Sequence, residues 1–530
     1  MKKQLFLLFV GFTFSLIQAQ EISDALRYSQ DNLNGTARFS AMSGAFGALG
    51  GDLSSLNVNP AGSAVFSNNQ MAVTLSNNSI KNNSNYFGTT TSDSNNSFDL
   101  NQAGGVFVFK TQDPKNDWKK IAFAINYDKT NNYDNSMFSK GENPNNSVAN
   151  YFLYYANADP EKNQPGIPLG TIQNYYYEEL NFAEQQAFLG YYGYIINATP
   201  LASDPLNDNN PNITSYSTNI PDDVDYNQEN SIISKGHNGK LSFNAATSYK
   251  DKFYLGINLN SHFTDYKKTS VFYESNKNST GLRNLTFSNE LYTYGSGFSM
   301  NIGAIVKVNK EIRVGLAWES PSWYTLNDEL KQDLRTTGFN YSDPNDKTKT
   351  IAGLSDANPD SNVTMIYAPY KLQTPSKTTL SFAYIFGKLG LISVDYAIKD
   401  YGNTQFKPKN EFSNTNTGMT NLLNQSDEFR FGCEYKIEAW SLRAGYRFEQ
   451  SPYKNKNTMG DLTGNSVGIG YNFGSTKLDL SYTATQRDSN PRFFDQGYFD
   501  EEFKGFKGFT DGANINTTTN TITATLLFEL

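Results

Sequence analysis

The chain has 530 residues and a formal net charge of −8, with 44 Lys and Arg against 52 Asp and Glu, and an acidic balance of this size argues against nucleic acid as a partner. Its single cysteine, Cys433, excludes an internal disulfide framework and any CxxC metal or redox pair. Aromatics reach 14%, carried by 34 Tyr and 38 Phe, while no stretch after residue 20 is apolar enough for a transmembrane helix.

Residues 1–19 read as a secretory signal peptide: Lys2 and Lys3, then apolar Leu5 to Phe12, then the small residue Ala19. The apolar run is too short to span a bilayer, so an exported protein is expected. Residues 20–67 contain the run GAFGALGGDLSSLNVNPAG, from Gly44 through Gly47, Gly50 and Gly51 to Gly62. It is not a nucleotide loop, because no apolar strand precedes it and neither GxGxxG nor GK[ST] is present. Small residues let its backbone approach other backbone closely, and Asn59-Pro60 supplies a sharp turn before Ala61. Phe39, Met42, Phe46, Leu49, Leu56, Val58 and Val65 need burial, which predicts a compact plug rather than a flexible linker.

From 68 to 530 the dominant signal is strict alternation of apolar and polar residues. Ile522, Ala524, Leu526, Phe528 and Leu530 share one face, against Thr521, Thr523, Thr525 and Glu529. Strands are expected near 68–78, 98–110, 119–129, 236–250, 252–276, 281–309, 311–330, 362–387, 389–405, 424–437, 439–452, 460–474, 476–490 and 516–530. Short polar turns such as Lys250-Asp251, Gly387-Lys388 and Gly474-Ser475 join many of them in pairs, with much longer polar stretches between the pairs. A secreted sandwich also alternates. The turn-length asymmetry and the alternating final strand favour an all-β fold, an antiparallel transmembrane β-barrel of about 14 strands. Its outward face would meet outer-membrane lipid.

The segment 130–235 is expected as one long extracellular loop. Within it, Leu180, Ala183, Ala187 and Tyr191 can share a helical face. Tyr175, Tyr176, Tyr177, Phe188, Leu189, Tyr191, Tyr192 and Tyr194 suit a cap that captures ligand, or a helix packed over the barrel mouth for structural reasons.

With these features in place the chain resembles the FadL/TodX family of outer-membrane transporters for hydrophobic compounds. The resemblance rests on the small-residue N-terminal segment, on Asp52-Leu53-Ser54-Ser55 and Asn59-Pro60-Ala61-Gly62, on the strand count, and on later segments such as KLQTPSKTTLSFAYIF, Lys371 to Phe386, and FRFGCEYKIEAWSLRAGYRFEQSPY, Phe429 to Tyr453. It implies that the N-terminal segment is a hatch, with Gly44, Gly47, Gly50 and Gly51 in it and Asn59, Pro60 and Ala61 as its anchor. It implies a hydrophobic small-molecule ligand, such as a long-chain fatty acid, captured outside and released passively through a lateral wall opening. Candidate ligand contacts are Phe39, Met42, Phe46 and Leu49 of the hatch, Tyr176, Phe188, Tyr191 and Tyr192 of the loop, and Arg430 and Arg443 of the wall, either of which can pair with a carboxylate.

Inward charges are otherwise expected to pair with each other and brace wall and hatch. Two alternatives remain: a barrel that docks exported proteins, and a haem-type receptor, for which His237 and His262 are the sole histidines. A hydrolase would need a histidine-activated serine, and no GxSxG element is present, so no enzyme, cofactor or metal site is expected.

Overall fold

In the computed structural model the described residues are 21–530 without 159–164, 221–224, 278–281, 339–340, 344–345, 352–356 and 495–510. The expected signal peptide, 1–19, lies outside them. Fourteen wall strands form a closed antiparallel barrel: β1 Gln70–Tyr86, β2 Thr89–Lys110, β3 Trp118–Asn132, β4 Tyr226–Tyr249, β5 Phe253–Ser275, β6 Leu282–Lys307, β7 in two pieces Ile312–Glu319 and Trp323–Gly338, β8 in three pieces Thr364–Ile366, Tyr370–Gln373 and Lys377–Ile385, β9 Gly390–Asp400, β10 Gln425–Ile437, β11 Trp440–Glu449, β12 Met459–Asn472, β13 Thr476–Ser489 and β14 Asn514–Glu529. The ring closes where β1 pairs with β14, from Gln70 opposite Glu529 to Asn85 opposite Asn514.

Alternation becomes sidedness. On β13 and β14, Leu480, Tyr482, Ile522, Leu526 and Phe528 project outward, while Asp479, Ser481, Thr483, Thr523 and Thr525 are buried inside. The exposed apolar belt is what a bilayer would cover, and none of the helices among the described residues is long and apolar enough to cross a membrane. At one end the strands turn tightly, with Lys250 and Asp251 at φ +54° and +52° and Gly387 at +59°, the left-handed geometry that two-residue hairpins need.

Two expected strands are interrupted. Residues 311–330 break at Ser320-Pro321-Ser322, and 362–387 break at Ala368-Pro369 and Thr374-Pro375-Ser376, because proline donates no N–H to the ladder. Hydroxyls repair one break: the Ser322 N–H donates to Thr374 Oγ1 at 2.8 Å, and the Thr374 N–H returns to Ser322 O at 3.0 Å.

The expected loop 130–235 is shorter than read, since β3 runs to Asn132, a strand Asn135–Asn143 continues along β4, and β4 begins at Tyr226. The intervening cap carries the helices Ala149–Ala156, Leu169–Asn174 and Phe182–Tyr192. The last starts two residues after Leu180, because Asn181 and Glu184 exchange capping hydrogen bonds at 3.1 and 2.9 Å. Phe152, Tyr151, Phe188 and Leu189 pack with Phe272, Phe287 and Leu334 of the wall, so apolar burial fastens the cap over the long-loop end.

Candidate functional site: a plugged lumen and a polar chamber

The N-terminal segment fills the barrel. It contains α1 Ile22–Ser29, α2 Ala37–Ala41 and two 3-10 turns, Leu53–Asn57 and Pro60–Val65. Phe39, Met42, Phe46 and Leu49 gather with Ala48 and the wall residue Ala383 in one closed cluster. Gly44, Gly50 and Gly51 take left-handed backbone at φ +76°, +60° and +67°, which folds the run into a compact coil. Asn59 stitches the segment to itself and to the wall. Its Oδ1 accepts from the Ala61 N–H at 3.1 Å, while Nδ2 donates to Gly47 O at 2.7 Å and to Ala304 O of β6 at 3.0 Å.

The wall receives this segment on glycines that sequence reasoning passed over. Gly256, Gly303, Gly315, Gly432, Gly445 and Gly468 face inward against Pro60, Asn59, Gly47, Met42 and Ala41, with no room for a Cβ: at Gly256 it would stand 2.4 Å from Pro60 O. The only signal was glycine recurring on the charged face of strands.

Charges then latch the plug. Asp395 accepts from the Phe46 and Gly47 N–H groups at 3.0 Å each, and Arg313 Nη1 donates to Leu49 O at 2.8 Å. Glu434, with no side-chain exposure, takes Arg38 of the plug through Nε at 2.8 Å and Nη2 at 3.2 Å, and Arg443 of β11 at 2.7 Å. Arg443 also reaches Asp479 at 2.6 Å, so this ligand candidate is spent on the latch.

Beside the plug lies a polar chamber of about 70 Å³, framed by Asp31, Leu33, Phe39 and Val58 of the plug and by Asp128, Lys240, Glu319 and Arg430 of the wall. Of the plug candidates only Phe39 lines it; Met42, Phe46 and Leu49 are enclosed. Arg430 lines it but donates to Glu428 at 2.6 Å. Tyr176 and Tyr192 lie exposed on the cap, Tyr191 is partly covered, and Phe188 is buried in the cap core. These four stand on a different layer from the chamber.

The histidines do not converge. Lys240 pairs with His262 and His237 with Asp265 in the β4–β5 register, which places the two imidazoles on opposite faces of the wall. His262 Nε2 sits 2.7 Å from Ser299 Oγ, but Ser299 is wholly buried and already takes the Asn260 amide at 3.0 Å. Substrate has no access to that hydroxyl.

Asp31, half-exposed to the chamber, is held below the ordinary carboxylate range: enclosure opposes its charge, but Lys399 at 3.3 Å, with Lys377 and Lys240 behind it, outweighs that. A depressed folded-state value stabilises fully above the unfolded value of about 3.9 and is lost as pH falls through the folded one. Asp31→Asn is therefore expected to reduce hydrogen-exchange protection of α1 at pH 5, with the gap to wild type closing below about pH 4. A gap that stays constant down to strong acid would show that Asp31 contributes no such charge pairing.

Comparison with known proteins agrees with this architecture. The chain is similar to a Pseudomonas aeruginosa FadL homologue at 13% identity and a TM-score of 0.50, over 94% of this chain and 99% of that one. It is also similar to the Pseudomonas putida toluene transporter TodX at 10% identity and 0.47, over 95% and 100%. No curated protein matches it. Residues 203–507, more than half of the chain, match the model of the outer membrane protein transport family (OMPP1/FadL/TodX). The protein belongs to that family, and is an outer-membrane β-barrel of the FadL/TodX transport type.

Proposed function

We propose that the barrel takes up a hydrophobic small molecule, such as a long-chain fatty acid, by passive diffusion. In this reading the short turns face the periplasm, the cap and long loops face outside, and the N-terminal segment is the hatch that closes the axial route. The ligand passes beside the plug through the chamber and leaves sideways. An apolar chain loses least by moving from protein to lipid without crossing water.

The observation that carries the reading is a seam in the wall. β2 and β3 pair only from Lys110 opposite Lys120 to Gln102 opposite Asp128. Beyond that point β2 continues to Thr89 paired with β1 alone. Side chains bridge the seam instead of backbone: Lys129 reaches Asp99 at 2.7 Å, and Asn132 Nδ2 reaches Ser97 Oγ at 2.6 Å. Phe98 and Leu100 stand exposed at its outer margin, and Asp128, Lys129 and Thr130 line the chamber immediately behind it.

The test is a lock. In a Cys433→Ser background, Ser97→Cys with Asn132→Cys is expected to form a disulfide across the seam and to abolish uptake of a labelled fatty acid into cells, with recovery on reduction. Full uptake with the disulfide formed would overturn the lateral route. Exposed Tyr175, Tyr176 and Tyr194 on the cap favour a second reading, the docking of exported proteins, which gains if the barrel moves no hydrophobic ligand.

A further inference from the structure

Most charges around the chamber are already engaged. Glu428 holds Lys377 and Arg430, Asp99 holds Lys129, Asp31 holds Lys399, and the plug backbone holds Asp395. Two charges have no direct partner. Lys240, on β4 and only 6% exposed, and Glu319, at the β7 break, both border the chamber and its smaller adjoining lobe. Among the described residues neither makes a hydrogen bond or close ion pair, and each has only longer-range partners, Asp31 and Asp128 for Lys240 and Lys399 for Glu319. In the same lobe Asn238 Oδ1 is buried without a partner, and the Tyr28 hydroxyl has only the Arg27 guanidinium beside it, leaving its proton free to donate. Asp128 accepts from Asn126 at 2.7 Å and has the Asn57 amide beside it.

We propose that the chamber is a head-group site for an amphiphile bearing both a carboxylate and an ammonium group, with Lys240 and the Tyr28 hydroxyl taking the carboxylate and Glu319 the ammonium. This rests on the channel reading above and deepens it. An uncharged ligand would leave two enclosed charges with only longer-range partners, which is costly. A simple carboxylate would satisfy Lys240 but would sit among Glu319, Asp31 and Asp128. A head group with both charges satisfies Lys240 and Glu319 together and leaves the net charge of the enclosed space unchanged. The cavity of about 70 Å³ holds several water-sized groups. Its border on Asp128 and Thr130 of β3 lets an acyl tail lie toward the wall seam while the head stays inside.

The test compares three ligands of equal chain length on the full-length protein in amphipol: 2-aminotetradecanoic acid, tetradecanoic acid and tetradecan-1-ol. Wild type is expected to bind the amino acid about tenfold more tightly than the plain acid, as for one charge-assisted hydrogen bond. Glu319→Gln, isosteric and checked for folding by heat-modifiable gel migration, is expected to erase that preference by weakening the amino acid and strengthening the plain acid. Lys240→Met is expected to weaken both acids and leave the alcohol unchanged. Equal binding of all three by wild type, or an unchanged preference in Glu319→Gln, would overturn the head-group site and make Lys240 and Glu319 a water-bridged structural pair, with the channel reading intact. Binding of none of the three would remove the channel reading as well.

Discussion

Replacing Gly315 by leucine is expected to drive the N-terminal segment out of the lumen and convert a closed barrel into an open pore. Gly315 sits mid-strand on β7, opposite Ile305 of β6 and Ser381 of β8, so its backbone is fixed from both sides. A Cβ there would stand 2.3 Å from Gly47 O, 2.8 Å from Gly47 C and 3.2 Å from Ala48 Cα. All three are plug backbone. Gly47 cannot retreat, because Ser381 Oγ lies only 2.0 Å from where its own Cβ would be and Asp395 holds its N–H. Overpacking of this kind costs about 1–3 kcal/mol even where neighbours can yield, and the plug is the element not tied into the ladder. Planar-bilayer conductance is the measurement: wild type stays closed and Gly315→Leu shows steady ohmic current, with Val314→Leu, on the lipid side, as control. A folded Gly315→Leu barrel that conducts no better than wild type would show that the coil can reshape in place.

Glu434→Ala is expected to loosen the same segment by an electrostatic route. The carboxylate is shared by Arg38 and Arg443 with no exposure of its own. Its loss strands Arg38 and leaves Arg443 only Asp479. Removing one partner of a buried ion pair costs about 3–5 kcal/mol, because the remaining charge is enclosed and uncompensated. Trypsin should then cut at Arg38 in the otherwise folded protein, and the plug should release at lower denaturant than the barrel. Arg38→Met with Glu434→Leu should return plug release toward the wild-type denaturant concentration, since replacing both partners removes the stranded charge. If the single variant resists trypsin as wild type does, the latch contributes little.

The wall was legible because each of its faces meets one environment. Ile522, Leu526 and Phe528 point outward as their alternation predicts, and the tight turn at Gly387 takes the left-handed backbone that glycine permits. The breaks at Pro321 and Pro375 carried a readable signal that the alternation around them masked. The start of the cap helix was also written locally, in Asn181 and Glu184. The receiving glycines were not readable: Gly445 means little until Met42, some 400 residues earlier in sequence, is laid against it. Lys240 and Glu319 stand out by lacking a direct partner, which depends on the register of several strands and on where the plug settles. Arg430 and Arg443 were both candidates for a ligand carboxylate, and both are engaged in the wall, Arg430 by Glu428 two residues earlier on the same face and Arg443 by Glu434.

The pairing of β1 with β14 has a consequence for the order of biogenesis. Every other wall pairing can form as successive stretches of chain arrive, but this one joins residues more than 400 positions apart and is entropically the slowest to form. Until it zips, both of its strands present naked edges. Once it zips, a covalently tethered segment is encircled, and no side remains through which that segment can slip in. The ring must therefore be wrapped around a core already seated, or the core must thread in afterwards through a narrow end. The glycine contacts, hydrogen bonds and ion pair on at least seven strands make the first order the economical one: the N-terminal segment would act as an internal mandrel that gathers the strands and sets the circumference on which they close.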